Sequence, residues 1–250
     1  MKLVYRLQNI ETKIKFNKGG IIIKKLLKYL LIFLTLFFII FILYVNKYYK
    51  ADNTAKEILN NENITIENNI ITLTPKNSTN IGIIFYPGAK VEYISYLPLL
   101  NSLTENGYTC ILPKMPFNLA FFNFNVADKI IKENTNIENW YIGGHSLGGA
   151  MASSYASKNL DKINGVILLG AYVYGNIPLE KTLVLYGSND LILNKNKLKN
   201  TENEIVIKGG NHSMFGNYGH QKGDGIGEIT NKEQQKITIE FINNFIKNRE

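Results

Sequence analysis

Residues 140–154 of the chain read WYIGGHSLGGAMASS. The stretch begins with an apolar run at 140–143, which is typical of a buried strand. Closely spaced glycines follow, and a run of small residues comes after them. We therefore predict a strand, then a tight turn, then a helix over 147–158.

Short apolar strands and helix-length segments alternate on both sides of this stretch. Asn68-Asn69 lies between two four-residue segments, ITIE at 64–67 and IITL at 70–73, and predicts a tight hairpin. Further strands are predicted at 81–86, 108–112, 140–143, 165–169, 182–186 and 204–207, and helices at 94–105, 125–132, 147–158, 194–199 and 232–247. This alternation predicts an α/β fold with a mostly parallel sheet covered by helices on both faces.

The turn in the opening stretch has the spacing G-x-S-x-G, formed by Gly144, Ser146 and Gly148. This spacing is typical of a nucleophile elbow, in which a serine lies in a strained strand-to-helix turn and glycines avoid collisions. The helix N-terminus behind such a serine favours the negative charge that develops during acyl transfer. A plain structural turn is the alternative, but the strand before and the helix after favour the elbow. Ser146 is the candidate nucleophile.

A serine nucleophile needs a base, and the chain has three histidines. His145 adjoins Ser146 but would point away from it, so we interpret it as a packing or hydrogen-bonding residue of the elbow. His212 follows the predicted strand at 204–207, whereas His220 lies eight residues further on in a glycine-rich loop. A short loop off a strand holds a base firmly, so we favour His212 over His220.

The third member of such a triad is a carboxylate between the serine and the histidine in chain order. Asp190 directly follows a predicted buried strand, whereas Asp161 lies just after the elbow helix and Glu180 precedes its strand. A carboxylate at position 190 would hold the imidazole in the correct tautomer. The predicted triad is therefore Ser146, Asp190 and His212.

Two backbone N–H groups should form an oxyanion hole. One is predicted at Leu147, the residue after the nucleophile. The other should come from the loop after the strand at 81–86, where Ala89 is our choice and Gly88 and Lys90 are neighbouring alternatives. Lys90 is either a contact for an anionic substrate or a solvated loop residue.

The motifs together resemble the α/β-hydrolase superfamily over about residues 81–245, and specifically its small, lidless, dienelactone-hydrolase-like branch (the fold-5 group). The resemblance rests on FYPG at 85–88, GHSLGGA at 144–150, LYGSND at 185–190, GGNHSMFG at 209–216, YG at 218–219 and GDG at 223–225. It implies Ser146 as nucleophile, Asp190 as acid and His212 as base, without a defined substrate. The chain departs from this group where Ala89 and Lys90 stand in place of a second glycine after Gly88.

Segment lengths and residue types restrict the substrate and the cofactors. About a dozen residues join the strands at 165–169 and 182–186, so we expect no lid and a small or extended ester substrate. Gly223-Asp224-Gly225 lacks the other carboxylates of an EF-hand loop, and the single cysteine excludes a Cys-based zinc site. We expect no metal and no cofactor. Aromatic side chains on loops near the active edge are candidates for an acyl pocket or for plain packing: Phe117, Phe121, Phe122, Tyr172 and Tyr174.

An apolar stretch near the N-terminus predicts a membrane span. Residues 29–45 read YLLIFLTLFFIIFILYV, whose only clearly polar member is Thr35. With the leucines before it, the stretch approaches the ~20 residues that cross a bilayer. We predict four segments: a basic cytoplasmic segment at 1–25, a transmembrane signal anchor at 26–46, a polar tether at 47–63 and an α/β-hydrolase domain at 64–250.

The charges beside the span predict its orientation. Lysines and an arginine cluster before it, whereas only Lys47 and Lys50 follow it closely. By the positive-inside rule, we expect a single-pass protein of the cell membrane with a cytoplasmic N-terminus and the catalytic domain outside. A cleaved signal peptide is the alternative, with cleavage after Ala51 or Ala55.

The excess of basic residues is confined to residues 1–50. The net charge is +8, yet residues 1–50 hold 10 of the 28 Lys and Arg residues and one of the 20 acids. The remainder is close to neutral, so no nucleic acid is expected as a partner. The sequence predicts a membrane-anchored serine hydrolase of carboxylic esters, whose partners are a small-molecule ester or acyl substrate and the membrane. A peptidase or acyltransferase on the same triad, or a non-catalytic anchored binding module, is the alternative.

Overall fold

The computed structural model describes residues 2–249, with side chains for Arg6 and residues 23–249. The chain forms two compact units, Met1–Lys47 and Tyr48–Glu250.

The first unit is one long helix, α1 (Lys2–Asn46). Its part Ile23–Asn46 is long and apolar enough to cross a membrane, and it contains the whole of the predicted span at 26–46. The Thr35 hydroxyl donates a 2.8 Å hydrogen bond to the Leu31 carbonyl, so the span's polar hydroxyl is satisfied within the helix. A helix with these properties fits a membrane span and a signal sequence alike.

The second unit is built on an eight-stranded sheet in the order β1-β2-β4-β3-β5-β6-β7-β8. The β1–β2 and β2–β4 pairs are antiparallel and the remaining pairs are parallel. The strands are β1 (Ile64–Glu67), β2 (Ile70–Leu73), β3 (Ile81–Tyr86), β4 (Thr109–Pro113), β5 (Asn139–His145), β6 (Gly165–Leu169), β7 (Thr182–Gly187) and β8 (Glu204–Ile207). The predicted α/β fold with a mostly parallel sheet flanked by helices is confirmed.

Strand β3 shows why the central strands are uninterrupted apolar runs. Ile83 and Phe85 belong to one hydrophobic cluster, whereas Ile84 and Tyr86 belong to a second. Because successive side chains of a strand point to opposite faces, a strand buried on both faces needs apolar residues at every position.

Five helices accompany the sheet: α2 (Asn53–Ile58), α3 (Leu97–Glu105), α4 (Val126–Glu133), α5 (Leu147–Ala156) and α6 (Asn231–Lys247). Helix α6 begins with a capping box between Thr230 and Glu233. The prediction of a helix at 194–199 is wrong, because this segment contains only a 3₁₀ turn, Lys195–Lys197. The Asn194 side chain accepts a bond from the Asn196 N–H, a local bond that competes with helix formation.

The segment predicted as a tether at 47–63 is largely folded onto the domain. Helix α2 is capped by the Asp52 carboxylate and packs near α3, and Ala51 and Ala55 are fully buried. In the sequence, these two alanines stand among polar residues whose side chains face solvent. Composition therefore suggests a linker where the structure has a packed helix.

The connection between β6 and β7 contains only a 3₁₀ turn, Leu179–Lys181, and no inserted helix. No lid is built from residues 170–181.

Candidate active site

The predicted nucleophile lies in a strained turn between β5 and α5. Ser146 has φ 53° and ψ −121°, a conformation that L-residues adopt only at a cost of about 1–3 kcal/mol. Its N–H donates a 2.9 Å bond to the Leu169 carbonyl, and its own carbonyl accepts a 3.0 Å bond from the Ala150 N–H. Ser146 is half-buried. The backbone of Ser146 is therefore held by hydrogen bonds at both its N–H and its carbonyl.

The glycines of the motif make this turn sterically feasible. A Cβ at Gly144 would lie 2.6 Å from the Tyr86 carbonyl oxygen, and a Cβ at Gly148 would collide with the carbonyls of Tyr86 and Pro87. The strand, the turn and the helix approach one another too closely for a side chain at either position.

The predicted base and acid form a buried pair. His212 Nδ1 lies 2.8 Å from Asp190 Oδ2, and these side chains are 1% and 0% exposed. The other carboxylate oxygen, Oδ1, accepts bonds from the N–H groups of Ile192 (2.9 Å) and Leu193 (2.8 Å). An ionised carboxylate can only accept a hydrogen bond, so the Nδ1 atom of His212 carries the proton and donates it to Asp190 in a hydrogen bond. The Nε2 atom of His212 is then the basic nitrogen.

This nitrogen lies at the same edge of the sheet as Ser146. His212 Nε2 is buried and has no hydrogen-bond partner among the residues the structure describes, so it is not bonded to Ser146 Oγ. The end of β6 lies beside both Ser146 and His212. The Leu169 carbonyl accepts the bond from the Ser146 N–H, and a Cβ at the next residue, Gly170, would lie 2.8 Å from His212 Nδ1. Ser146, His212 and Asp190 thus follow the carboxyl ends of β5, β8 and β7, the edge where α/β proteins bind ligands.

The competing candidates are exposed, in contrast to the buried Asp190 and His212: they are His220, Asp161 and Glu180. The carboxylate that contacts His212 is that of Asp190.

The loop after β3 leaves one backbone donor open. The Gly88 N–H donates to the Tyr96 hydroxyl at 3.0 Å, and the Lys90 N–H donates to the Asn118 carbonyl at 2.9 Å. Within the described part of the chain, no hydrogen bond is donated by the N–H of Ala89, which lies between them, or by that of Leu147. The two donors predicted for an oxyanion hole are therefore available, whereas both alternatives to Ala89 are occupied.

A buried tyrosine that no motif indicates joins this loop to the elbow. The Tyr96 hydroxyl accepts the bond from Gly88 and lies within hydrogen-bond distance, 2.8 Å, of His145 Nδ1. The His145 ring lies 4.4 Å from the His212 ring, centroid to centroid. Burial, with a smaller effect from His212, lowers the pKa of His145 well below its ordinary value, so this imidazole is neutral at pH 7. His145 is therefore a buried, hydrogen-bonded residue of the elbow, as its position next to Ser146 predicts.

Asp224 accepts hydrogen bonds from the residues directly after His212 and Asp190. Its Oδ2 accepts a 2.9 Å bond from the Ser213 N–H, and its Oδ1 accepts a 3.5 Å bond from the Leu191 N–H. The sequence drew attention to this residue only as part of a calcium-like GDG segment. Among the described side chains, no group of three or more His, Cys, Asp or Glu residues could hold a metal ion.

Three exposed phenylalanines form a cluster on the loop after β4. The ring of Phe122 lies 5.5 Å from that of Phe117 and 5.7 Å from that of Phe121. The same loop carries Asn118, whose carbonyl binds the Lys90 N–H. An apolar surface is thereby connected to the loop that holds the open N–H group.

The model of the Alpha/beta hydrolase family matches residues 82–236. Among solved structures, MGS-MChE2, an alpha/beta hydrolase from the metagenome of lagoon sediments of Mar Chica, Morocco, has a TM-score of 0.52 and 12% identity, covering 74% of this chain and 98% of its own. Est1E from Butyrivibrio proteoclasticus has a TM-score of 0.50 and 16% identity, covering 74% and 99%. XC6422 from Xanthomonas campestris, a serine hydrolase without a lid, has a TM-score of 0.50 and 10% identity, covering 70% and 88%. No curated protein sequence matches the chain. At these identities the solved structures share its fold.

Proposed function

The chain belongs to the alpha/beta hydrolase family, and from that premise we propose that it is a membrane-anchored serine hydrolase that cleaves carboxylic esters. Ser146 is the nucleophile, His212 the base and Asp190 the acid. The backbone N–H groups of Ala89 and Leu147 form the oxyanion hole.

The observation that carries this proposal is the buried Asp190–His212 pair. A buried imidazole with Nδ1 bound to a carboxylate and Nε2 without a partner is arranged to take a proton at Nε2. Ser146 follows β5 at the same edge of the sheet, two strands away from β7, and is held in a strained turn. The one cysteine is no rival nucleophile, because burial raises the pKa of the Cys110 thiol to about 12.

The proposed reaction follows from these positions. His212 Nε2 takes the hydroxyl proton as Ser146 Oγ bonds to the ester carbonyl carbon, and the negative carbonyl oxygen accepts bonds from the two N–H groups. The ester C–O bond then breaks, and His212 returns its proton to the departing alcohol. Water, deprotonated by His212, then attacks the carbonyl carbon of the acyl-serine. The bond between this carbon and Ser146 Oγ breaks, and His212 returns the proton to Oγ, which releases the carboxylic acid and regenerates Ser146.

An apolar acyl group suits this site. The phenylalanine cluster is exposed and belongs to the loop that is bonded to Lys90. An apolar acyl chain would cover part of this surface, at about 25 cal/mol for each Å² buried. We therefore propose an ester with an apolar acyl chain as the substrate class.

A comparison of leaving groups tests the proposed reaction. The full-length protein in detergent is given p-nitrophenyl esters from acetate to laurate and matched peptide p-nitroanilides. We expect hydrolysis of the esters with a preference among acyl lengths, and little reaction of the anilides. Faster cleavage of anilides would favour a peptidase, and acyl transfer to an added alcohol in preference to water would favour an acyltransferase.

The membrane location rests on the helix Ile23–Asn46. Basic residues cluster before it in the sequence, which favours a cytoplasmic N-terminus and a hydrolase domain outside the cell. We expect the protein to stay in the membrane pellet after alkaline extraction and its domain to be digested by protease added to intact cells. Release into the supernatant at a reduced mass would instead indicate a cleaved signal sequence.

A further inference from the structure

Residues 49–52, here termed the strap, pair with the loop that holds Ala89. Tyr49 forms a parallel bridge with Val91. The Tyr49 N–H donates a 2.7 Å bond to the Lys90 carbonyl, and the Tyr49 carbonyl accepts a 2.8 Å bond from the Glu92 N–H. The Ala51 N–H donates a further 2.8 Å bond to Glu92 Oε2. Three bonds therefore fasten the strap to the residues directly after Ala89.

The strap is also bonded to the segment that follows the base. The Tyr49 hydroxyl accepts a 2.9 Å bond from the Lys222 N–H, and its ring lies 5.7 Å from that of Tyr218. The Asp52 N–H donates a 2.9 Å bond to the Asn217 carbonyl. The Asn217 side-chain amide donates in turn to Asp52 Oδ2 at 3.2 Å. The strap thus joins the loop of Ala89 to the loop of His212, two regions far apart in sequence.

The bond from Tyr49 falls where the backbone is strained. Lys90 has φ 57°, a left-handed conformation that a side chain makes costly. Its carbonyl is held by Tyr49 and its N–H by Asn118, while the residue before Ala89, Gly88, is held by Tyr96. Ala89 is fixed on both sides although its own N–H is open. An oxyanion donor needs this arrangement, because a donor that must reorganise during the reaction stabilises the transition state less.

We propose that Tyr49 is a positioning residue for the oxyanion hole: through the strap it holds the Ala89 N–H in place relative to His212. This inference rests on the proposed function, and it assigns a part of the reaction to a segment that the sequence suggests is only a tether. It also means that cleavage after Ala51 would remove Tyr49 and disrupt the site.

The test compares two adjacent tyrosines in the full-length protein in detergent. Tyr49→Ala removes the ring and the hydroxyl that bind the His212 loop, and Tyr48→Ala is the matched control at a half-buried neighbouring position. A fluorophosphonate probe counts the active sites, and the kcat for each titrated site, the KM for a p-nitrophenyl ester and the melting temperature are measured. We expect Tyr49→Ala to lower kcat for each site about tenfold with KM within about twofold, and Tyr48→Ala to match the wild type.

A second pair of variants decides the matter if Tyr49→Ala does not fold. Glu92→Ala removes the acceptor of the Ala51 N–H, whereas Glu92→Gln keeps an oxygen at that position. We expect kcat for each site to fall in Glu92→Ala and to be restored in Glu92→Gln. Variants that lose only melting temperature, with an unchanged kcat for each site, would overturn the positioning role and leave the proposed function intact. A folded wild type without labelling or turnover would overturn the proposed function and this inference with it.

Discussion

Ester hydrolysis is expected to fall by at least about 10⁴-fold when Ser146 is replaced by alanine. The substitution removes the attacking oxygen and little else. Although Ser146 precedes helix α5, its side chain makes no capping bond, so no cap is lost. Alanine has the same backbone strain at φ 53° as serine. The melting temperature should therefore stay close to that of the wild type while turnover disappears.

A serine in the same helix is the matched control for this variant. Ser154→Ala changes a half-buried position of α5 that lies outside the proposed machinery. Its activity should equal that of the wild type. If Ser146→Ala kept a substantial part of the wild-type kcat, the acyl-serine mechanism would be wrong.

The second large effect is expected for Asp190→Asn, which should lower kcat by about 10³- to 10⁴-fold. The Oδ1 atom of Asp190 accepts two backbone N–H bonds, and the amide oxygen of asparagine can keep both. The amide nitrogen is then left facing His212 Nδ1 in place of Oδ2. Because an amide NH₂ donates and cannot accept, it stabilises the tautomer whose proton is on Nε2, and that nitrogen can no longer act as a base.

Asp161→Asn and Glu180→Gln are the controls, because both residues are exposed carboxylates between the serine and the histidine in chain order. Both variants should retain wild-type kcat, measured with the same ester. Full activity in Asp190→Asn, together with a loss in either control, would show that the acid is assigned to the wrong residue.

The sheet could be predicted from sequence because its central strands are buried on both faces. Gly165–Leu169 is buried at every position and has the predicted bounds, since an apolar run flanked by polar or glycine residues marks both ends of such a strand. The edge strand Glu204–Ile207 also has the predicted bounds, although it is only partly buried. The hairpin turn was also readable, since Asn68 and Asn69 both have positive φ, which asparagine tolerates better than most residues. The prediction of a helix at 194–199 is wrong because the length of the segment suits a helix, whereas a local hydrogen bond of the Asn194 side chain competes with helix formation.

The candidate catalytic residues were predictable for a related reason. Ser146 is marked by a local motif, and Asp190 and His212 come soon after strands that end at one edge of the sheet. The residues that hold these candidates and their loops in place are not indicated by any sequence motif. Tyr49 reaches Lys222 across 173 positions, and Tyr96 reaches His145 across 49. Bonds between residues so distant in sequence depend on the tertiary fold, and no local pattern of residue types announces them.

The most direct test of the serine hydrolase is the site of covalent labelling. The full-length protein in detergent is treated with a fluorophosphonate probe, digested, and analysed by peptide mass spectrometry. We expect one probe for each chain, attached to Ser146 in the peptide that contains the GHSLGG sequence, and no labelling after heat denaturation. A folded wild-type protein that takes up no probe, or that carries it on another serine, would contradict the account.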